Sequence, residues 1–276
     1  MPHIVFVVVL SAALLHATWN AIVKSAPDKF LTTILVTMVA ALISAASLPF
    51  LPAPAQASWP YAAVSAVFQV TYFVLVARTY QVADMSQTYP LMRGAAPLLV
   101  AIVTVFLFRE PLSATAWLGI LALCLGIFSI AAGDNIDRRG VYLALLNAVI
   151  IAAYTLIDGI GVRRSKAPAA YTLWVFLLAG LPLTVWVMVT KRSTFIPYAT
   201  RYWRIGIAGG IGTTASYGLA LWAMTLAPIA VVAALRETSI LFALMIAGLV
   251  LKEPIGPKRI ISACTIAGGA VALRLA

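Results

Sequence analysis

The sequence has few acidic residues, few charges and few residues that bind metals. Of 276 residues, 8 are Asp or Glu, 2 are His, and charged residues make up 10%. No His/Asp/Glu group has metal-site spacing, and no hydrolase triad is evident. The glycine-rich stretch GIAGGIGTT at 206–214 lacks the lysine of a Walker motif, so ATP-driven transport by this chain alone is excluded. We therefore expect neither an enzyme nor a cofactor-binding protein.

The cysteines and the first residues of the chain are both expected to belong to apolar helices. Cys124 and Cys264 both lie inside apolar segments, where they are expected to pack and not to form a disulfide or a metal site. The start, MPHIVFVVVLSAALLHA, lacks the basic region of a signal peptide, and its apolar run continues to Val23. We interpret it as a retained first helix.

What the chain has is apolar sequence. Apolar residues make up 63% of it, and the mean hydropathy is +1.03. Because a spanning helix needs about 20 apolar residues, the sequence predicts an all-α, polytopic membrane protein of ten transmembrane helices. The net charge of +11 comes mostly from loop residues that orient such a protein, so no nucleic-acid partner is expected. The predicted helices span 4–25, 30–51, 59–81, 87–108, 111–133, 141–161, 171–190, 205–226, 229–251 and 257–273, with the longest loop at 191–204.

The stretch 87–111, QTYPLMRGAAPLLVAIVTVFLFREP, recurs later in the chain. A shift of 143 residues superimposes five pairs of identical residues: Arg93 on Arg236, Leu98 on Leu241, Glu110 on Glu253, Pro111 on Pro254 and Gly126 on Gly269. We therefore divide the chain into two five-helix repeats, 1–134 and 138–276, with a seam at 135–137. An odd helix number turns the second copy over, which predicts two five-helix inverted-topology repeats.

In each copy a helix ends in an acidic residue and a proline just before the last helix. These endings read FLFREPLS at 106–113 and LVLKEPIG at 249–256. With the ten apolar segments and Pro97, they resemble the drug/metabolite transporter superfamily, specifically EamA-type transporters; Ile240 stands where a second such proline would lie. The resemblance implies alternating-access transport of small metabolites in a bacterial inner membrane, with cytoplasmic termini. The loop charges instead place the termini outside. Eleven basic loop residues lie on the side opposite the termini and five on the side of the termini, and basic loops favour the cytoplasm.

Arg93 and Arg236 are the main predicted site residues, because an arginine inside a spanning segment is costly and usually functional. Tyr89 and Pro97 share a helix face with Arg93. The two guanidinium groups could hold a carboxylate, phosphate or phosphonate. Alternatively, each satisfies backbone carbonyls or pairs with Glu237. Glu237 itself could bind a substrate ammonium, couple a proton or neutralise Arg236.

Predicted helix 1 carries His16, Trp19, Asn20 and Lys24 on one face. His16 is a candidate for proton coupling, since histidine exchanges protons near neutral pH. The alternative is a hydrogen-bonded structural histidine. Trp19 and Asn20 could line the cavity, or the indole could simply pack.

Other residues are weaker candidates. Asn147, Tyr154 and Asp158 lie on one stripe of predicted helix 6. Tyr154 is expected to mirror Trp19 in the cavity. Asp158 is near the helix end, so it could share that stripe's role or lie at the surface beside Arg163. Pro90, Gly94 and Pro97 could form a hinge, and Glu110 and Glu253 could mark helix starts before proline. The remaining polar candidates are Gln69, Tyr72, Tyr80, Asn147, Thr213 and Tyr217.

Together these features predict a secondary active transporter with a cavity between predicted helices 1, 3, 4, 6, 8 and 9. The expected partners are a small-molecule substrate and membrane lipids, and the protein is expected to be a monomer or homodimer. An intramembrane enzyme or lipid flippase, with His16 and Asp158 as its loose catalytic candidates, and a passive channel are the alternatives.

Overall fold

A computed structural model describes residues 1–82, 85–131, 138–249 and 256–276. All regular structure in these ranges is helical, as the sequence predicts. Two short 3₁₀ helices, Leu48–Phe50 and Gln56–Ser58, connect the second and third α-helices. The α-helices are α1 (His3–Ser25), α2 (Lys29–Ser47), α3 (Trp59–Val82), α4 (Met85–Phe106), α5 (Ala114–Ala131), α6 (Arg138–Ser165), α7 (Pro168–Thr190), α8 (Arg192–Met224), α9 (Ile229–Arg236), α10 (Ser239–Leu249) and α11 (Pro257–Leu275).

Seven segments of the described chain are long and apolar enough to cross a bilayer: α1, α2 with its 3₁₀ extension, α3, α4, α6, α7, and α9 together with α10. The apolar run of α5, Ala114–Ile130, is slightly shorter. Large apolar side chains point outward along these helices, including Val7, Leu118 and Val189. An outward apolar surface suits contact with lipid, where every backbone polar group must be bonded within the helix. The count of ten spanning helices stays a prediction.

The predicted loop at 191–204 is wrong, because α8 already begins at Arg192. The non-helical backbone of Tyr202 (φ −111°, ψ 21°) divides α8 into a short first segment and a long second one. The first segment is anchored by Phe195, which is fully buried against the start of α2, including Leu31 and Leu35. The polar residues of this first segment are typical of a loop, so the sequence did not indicate its buried aromatic anchor.

The predicted role of Glu110 as the start of a helix is also wrong. Helix α5 begins four residues later at Ala114, and the hydroxyl of Ser113 accepts a hydrogen bond from the backbone N–H of Ala116 at 3.1 Å. A serine in this position caps the helix. Glu110 instead binds Arg163, with 2.6 Å between Oε1 and Nη1. Its counterpart, Glu253, lies outside the described residues.

The last helices of the two sequence copies, α5 and α11, pack at very short range through glycine. A Cβ at Gly269 would lie 2.8 Å from the carbonyl oxygen of Gly119 and 2.8 Å from the backbone nitrogen of Leu123. A Cβ at Gly126 would lie 3.1 Å from the backbone nitrogen of Ile266. The predicted close packing at Gly126 and Gly269 is thus present, because only glycine lets the two backbones approach this closely.

The connections between helices gather at two ends of the bundle. At one end, the backbone N–H of Ala55 donates to the carbonyl oxygen of Ser165 at 2.9 Å, and Arg274 donates to the carbonyl oxygen of Met1 at 3.0 Å. At the other end, the hydroxyls of Thr32 and Tyr198 lie 2.6 Å apart. The loops that follow α1 and α7 therefore meet at the end opposite to the loops that follow α2 and α6.

Candidate functional site

The span predicted as one helix over 229–251 is interrupted in its middle. Helix α9 ends at Arg236 and α10 begins at Ser239, with Glu237 and Thr238 in a turn. In this turn, backbone N–H groups donate to the carbonyl three residues earlier and not four as in an α-helix. The N–H of Ile240, for example, donates to the carbonyl oxygen of Glu237 at 3.0 Å. The hydroxyl of Thr238 donates to the oxygen of Leu235 at 2.6 Å, which competes with the regular helix ladder. The break presents Arg236 and Glu237 at the centre of the bundle.

Glu237 forms a buried ion pair with Arg93 of α4. The distance from Nε of Arg93 to Oε2 of Glu237 is 2.7 Å, and the two residues are 4% and 5% exposed. The pair is close but poorly aligned, since neither Nε nor Oε2 makes a hydrogen bond of good geometry. Nη2 of Arg93 is buried and has no hydrogen-bond partner in the described part of the chain. Burying two charges is costly unless their remaining donors and acceptors are satisfied, so this arrangement leaves a strong donor for a further group.

Arg236 lies near the same pair but has a different neighbour. Its guanidinium carbon is 5.0 Å from the ring centre of Tyr217 on α8, which is a cation–π contact. Among described residues, no carboxylate lies within ion-pair distance of this guanidinium. The expectation that Glu237 neutralises Arg236 therefore differs from the structure, in which Glu237 pairs with Arg93. The guanidinium of Arg236 therefore has no ion-paired carboxylate of its own in the described part of the chain.

Four tyrosines surround these charges, all of them singled out by sequence. The rings of Tyr72 and Tyr154 are 6.1 Å apart, and those of Tyr154 and Tyr217 are 6.4 Å apart, both edge to face. Tyr89 is one turn before Arg93 and interacts with it electrostatically, as do Tyr72 and Tyr154. Helices α3, α4, α6 and α8 thus bring the predicted aromatic residues together around the arginines.

Helix α1 contributes its predicted residues unequally. His16 interacts electrostatically with both Arg93 and Arg236, and its ring meets the indole of Trp19 edge to face at 5.4 Å. Nε1 of Trp19 is buried without a hydrogen-bond partner among described residues. The amide of Asn20 is used within its own helix, because it donates to the carbonyl oxygen of His16 at 2.7 Å.

The structure excludes the surface alternative for Asp158. It is fully buried, and its carboxylate accepts hydrogen bonds from the hydroxyls of Tyr171 at 2.9 Å and Tyr217 at 2.5 Å. The predicted surface position beside Arg163 fails because α6 continues to Ser165, about two turns beyond Asp158. Only the last turns of α6, which hold Arg163 and Ser165, reach the end of the helix bundle.

Arg163 does lie at that end. It donates to the carbonyl oxygens of Met224 at 2.7 Å and Ala227 at 2.9 Å, besides its ion pair with Glu110. It thereby connects α6 to the loop after α4 and to the loop after α8. These contacts tie the two sequence copies together at one end.

The predicted hinge lies within a continuous helix. Pro90 and Pro97 are both inside α4, and a Cβ at Gly94 would lie 2.8 Å from the ring of Phe128 on α5. The hinge stays a prediction. Of the weaker candidates, Asn147 donates to the sulfur of Met92 at 2.9 Å. The side chain of Tyr80 lies outside the described residues.

The cavity at this site is small. It has about 10 Å³ of free volume, close to what one water needs. In the described conformation a metabolite has no room, so binding requires the helices around it to separate. Its walls come from α4, α6 and α9 and include Arg93, Pro97, Thr155, Arg236 and Glu237.

Comparison with known proteins decides the family. The model of the EamA-like transporter family matches residues 3–132 and again residues 138–275, so the two matches cover almost the whole chain. The chain belongs to the EamA-like transporter family. The resemblance inferred from the FREP and LKEP endings is thereby confirmed. This EamA-like protein is a multi-pass integral membrane protein, and its family is one of transporters and not of enzymes.

A solved structure supports the fold of this EamA-like chain. A crystal structure with 18% sequence identity superimposes with a TM-score of 0.79, and the match covers 100% of this chain and 98% of the other. At that identity the likeness shows the fold alone.

Proposed function

We propose that this EamA-like protein is a secondary active transporter, an exporter or exchanger, of a small metabolite with an acidic group. Amino acids, organic acids and phosphonates have this chemistry. The observation that carries the proposal is the buried cluster of Arg93, Arg236 and Glu237 beside a broken helix. Broken helices of this kind form ion and substrate sites near the membrane midplane of secondary transporters.

The cluster suits an anionic or zwitterionic solute. Arg93 has an unused buried donor in Nη2, and Arg236 is held by a ring and not by a carboxylate. A carboxylate between them would receive charge-assisted hydrogen bonds from both. The ammonium of a zwitterion could approach Glu237, and the indole N–H of Trp19 offers one more donor.

Ten helices in two inverted repeats would supply alternating access by the rocking of two halves around a fixed site. Contacts related by the 143-residue shift support this architecture. A Cβ at Gly269 would lie 2.8 Å from the backbone nitrogen of Leu123. The same shift relates this contact to the one between Gly126 and Ile266, where a Cβ at Gly126 would lie 3.1 Å from the backbone nitrogen of Ile266. The conformation with this small cavity would then be an occluded intermediate between two conformations that open to opposite sides of the membrane.

The test uses counterflow of radiolabelled amino acids, organic acids and phosphonates in vesicles that contain the purified protein. We expect Arg93→Ala and Arg236→Ala each to reduce counterflow about 10- to 100-fold, since a hydrogen bond to a charged group contributes roughly 1.5–3 kcal/mol. Arg204→Ala is the control, because Arg204 is an exposed arginine outside the cluster. Its guanidinium carbon lies 5.4 Å from the centre of the Trp203 ring. Normal counterflow in both cluster variants would refute the anchor.

The same assay separates a carrier from a passive channel. A carrier accumulates label against the flow of unlabelled solute and saturates, whereas a channel does neither. Variants are compared only after size-exclusion chromatography shows that each one is folded and inserted.

A further inference from the structure

We propose that Asp158 is the proton-binding site that couples this transporter to a proton gradient, and that Tyr217 links it to Arg236. The inference rests on the proposed transport function but concerns a different residue from the substrate cluster. It also differs from the sequence-based coupling candidates, His16 and Glu237.

Asp158 has a complete shell of hydrogen-bonding groups from three neighbouring helices. Besides Tyr171 of α7 and Tyr217 of α8, the amide of Gln69 on α3 lies 3.4 Å from Oδ2. The same amide also donates to the hydroxyl of Ser65 on α3, at 3.3 Å. A buried carboxylate supplied with so many donors is a built site and not an accidental polar residue.

The shell contains no positive charge. Within the described ranges, no Lys, Arg or His comes within ion-pair distance of Asp158. Glu237, by contrast, has a guanidinium at 2.7 Å, so protonating it would leave Arg93 buried without its counter-ion. Protonating Asp158 leaves no unpaired charge behind. Asp158 is therefore the buried carboxylate that can gain and lose a proton at the lower structural cost.

The groups that face Asp158 are few. Tyrosines supply the titratable ones: Tyr171 from α7, Tyr217 from α8 and Tyr154 from α6 itself. Helix α3 contributes the neutral Ser65 and Gln69, and α9 contributes apolar contact through Ile229, which packs on the neighbouring Gly159. The hydroxyls of tyrosine and serine both donate and accept, so they can bond to either form of the carboxyl group.

Tyr217 connects this site to the substrate cluster. The hydroxyl of Tyr217 donates a hydrogen bond to Asp158. The guanidinium carbon of Arg236 lies over the ring of Tyr217, 5.0 Å from its centre. When Asp158 takes up a proton on Oδ2, that oxygen becomes a donor, and the hydroxyl of Tyr217 changes from donor to acceptor. This exchange alters the hydrogen bond that positions the ring of Tyr217 beside Arg236. One proton enters from water on one side and leaves on the other, and no other covalent bond forms or breaks.

The test compares the wild type with Asp158→Asn, which keeps the size of the side chain. Vesicles are assayed with a radiolabelled amino-acid hydrolysate in two modes, exchange at equal pH and accumulation driven by an imposed pH gradient. We expect Asp158→Asn to retain exchange within about twofold and to lose accumulation at least tenfold. Asp158→Glu, which retains a carboxylate, should restore part of the accumulation.

A second readout follows the proton directly. Infrared difference spectra between high and low pH should show the carbonyl band of a protonated carboxyl group in the wild type and in Glu237→Gln, and this band should be absent in Asp158→Asn. Should Asp158→Asn fail to fold, the comparison uses isotope-labelled aspartate in the wild type and in Asp158→Glu, because a band from Asp158 shifts with the label in the wild type and does not shift in Asp158→Glu.

The outcomes separate the two proposals. Absence of exchange in the wild type would count against the transport function for this substrate class. Exchange with unchanged pH-driven accumulation in Asp158→Asn would overturn the coupling role of Asp158 and leave transport intact. Accumulation driven by sodium and not by pH, or its loss in His16→Gln with Asp158→Asn unaffected, would also overturn it.

Discussion

At the scale of single residues, the Arg93–Glu237 pair has the largest energetic consequence. Removing one partner of a buried ion pair leaves the other charge uncompensated, at a cost of about 3–5 kcal/mol. We therefore expect Glu237→Gln to lower the thermal unfolding temperature in detergent by several degrees. The double variant Arg93→Met/Glu237→Gln should be more stable than Glu237→Gln alone, because it no longer buries an unpaired guanidinium.

Glu110→Gln is the matched control for this prediction. It makes the same chemical change in an ion pair whose side chains are 32% and 36% exposed. Exposed pairs contribute about 0–1 kcal/mol, so its unfolding temperature should stay near that of the wild type. A Glu237→Gln variant as stable as Glu110→Gln would show that the central pair does not hold the fold together.

The structure brings Arg93 and Arg236, which the sequence singled out, into one buried cluster, and it excludes the surface alternative for Asp158. Arg93 and Arg236 stand out because each interrupts an apolar run. Asp158 also lies in an apolar helix, but its partners Gln69, Tyr171 and Tyr217 come from three other helices. No local pattern links residues that only tertiary packing brings together, so the sequence could not separate a buried acid from a surface one.

At the scale of helices, apolar runs predicted most of the elements, and local backbone chemistry decided the rest. The break at Glu237 and Thr238 was missed because it contains neither proline nor glycine, the usual markers of helix interruption. The sequence ETS at 237–239 is the only trace of it. The start of α5 shifted for a related reason: Ser113 caps it more effectively than Glu110 and Pro111 could.

The glycines of α11 allow a sharp test of helix packing. A Cβ at Gly269 would lie 2.8 Å from two backbone atoms of α5, whereas a Cβ at Gly268 would meet nothing within 4 Å. Because a backbone cannot move aside as a side chain can, we expect Gly269→Ala to separate α5 from α11 and to lower the unfolding temperature by several degrees.

Gly268→Ala is the neighbouring control. Alanine is favoured over glycine inside a helix by roughly 1 kcal/mol, so this variant should match or exceed the stability of the wild type. Equal losses at both positions would mean that helix propensity, and not the close contact with α5, determines the effect.

At the scale of the whole molecule, the two sequence copies correspond in space as well as in sequence. The shifted contacts of Gly126 and Gly269 relate α5 to α11, and Arg93 and Arg236 approach the same cluster from α4 and α9. The copies differ at the cluster itself: Glu237 has Gly94 as its counterpart, and that glycine packs against Phe128. The two arginines therefore differ in their neighbours: Arg93 pairs with Glu237, and Arg236 stacks on Tyr217.

The proposed inverted arrangement of the two copies predicts the side of the membrane on which each loop lies. Ser25 and Ala169 are exposed and lie at corresponding places, where the first helix of each copy gives way to the second. In a background with Cys124→Ser and Cys264→Ser, we introduce Ser25→Cys or Ala169→Cys and label intact cells with a membrane-impermeant thiol reagent. Inverted repeats place the two cysteines on opposite sides, so one should react in intact cells and the other only after lysis.

Two further positions complete this experiment. Ser193→Cys, at the start of α8, should react from the same side as Ser25→Cys, because the loops after α1 and α7 meet at one end of the bundle. Gln56→Cys, between α2 and α3, should react from the same side as Ala169→Cys, because the loops after α2 and α6 meet at the other end. The reactive side also distinguishes termini outside, as the loop charges indicate, from the cytoplasmic termini implied by the family. Reaction of Ser25→Cys and Ala169→Cys from the same side would rule out the inverted repeat and, with it, alternating access by two opposed halves.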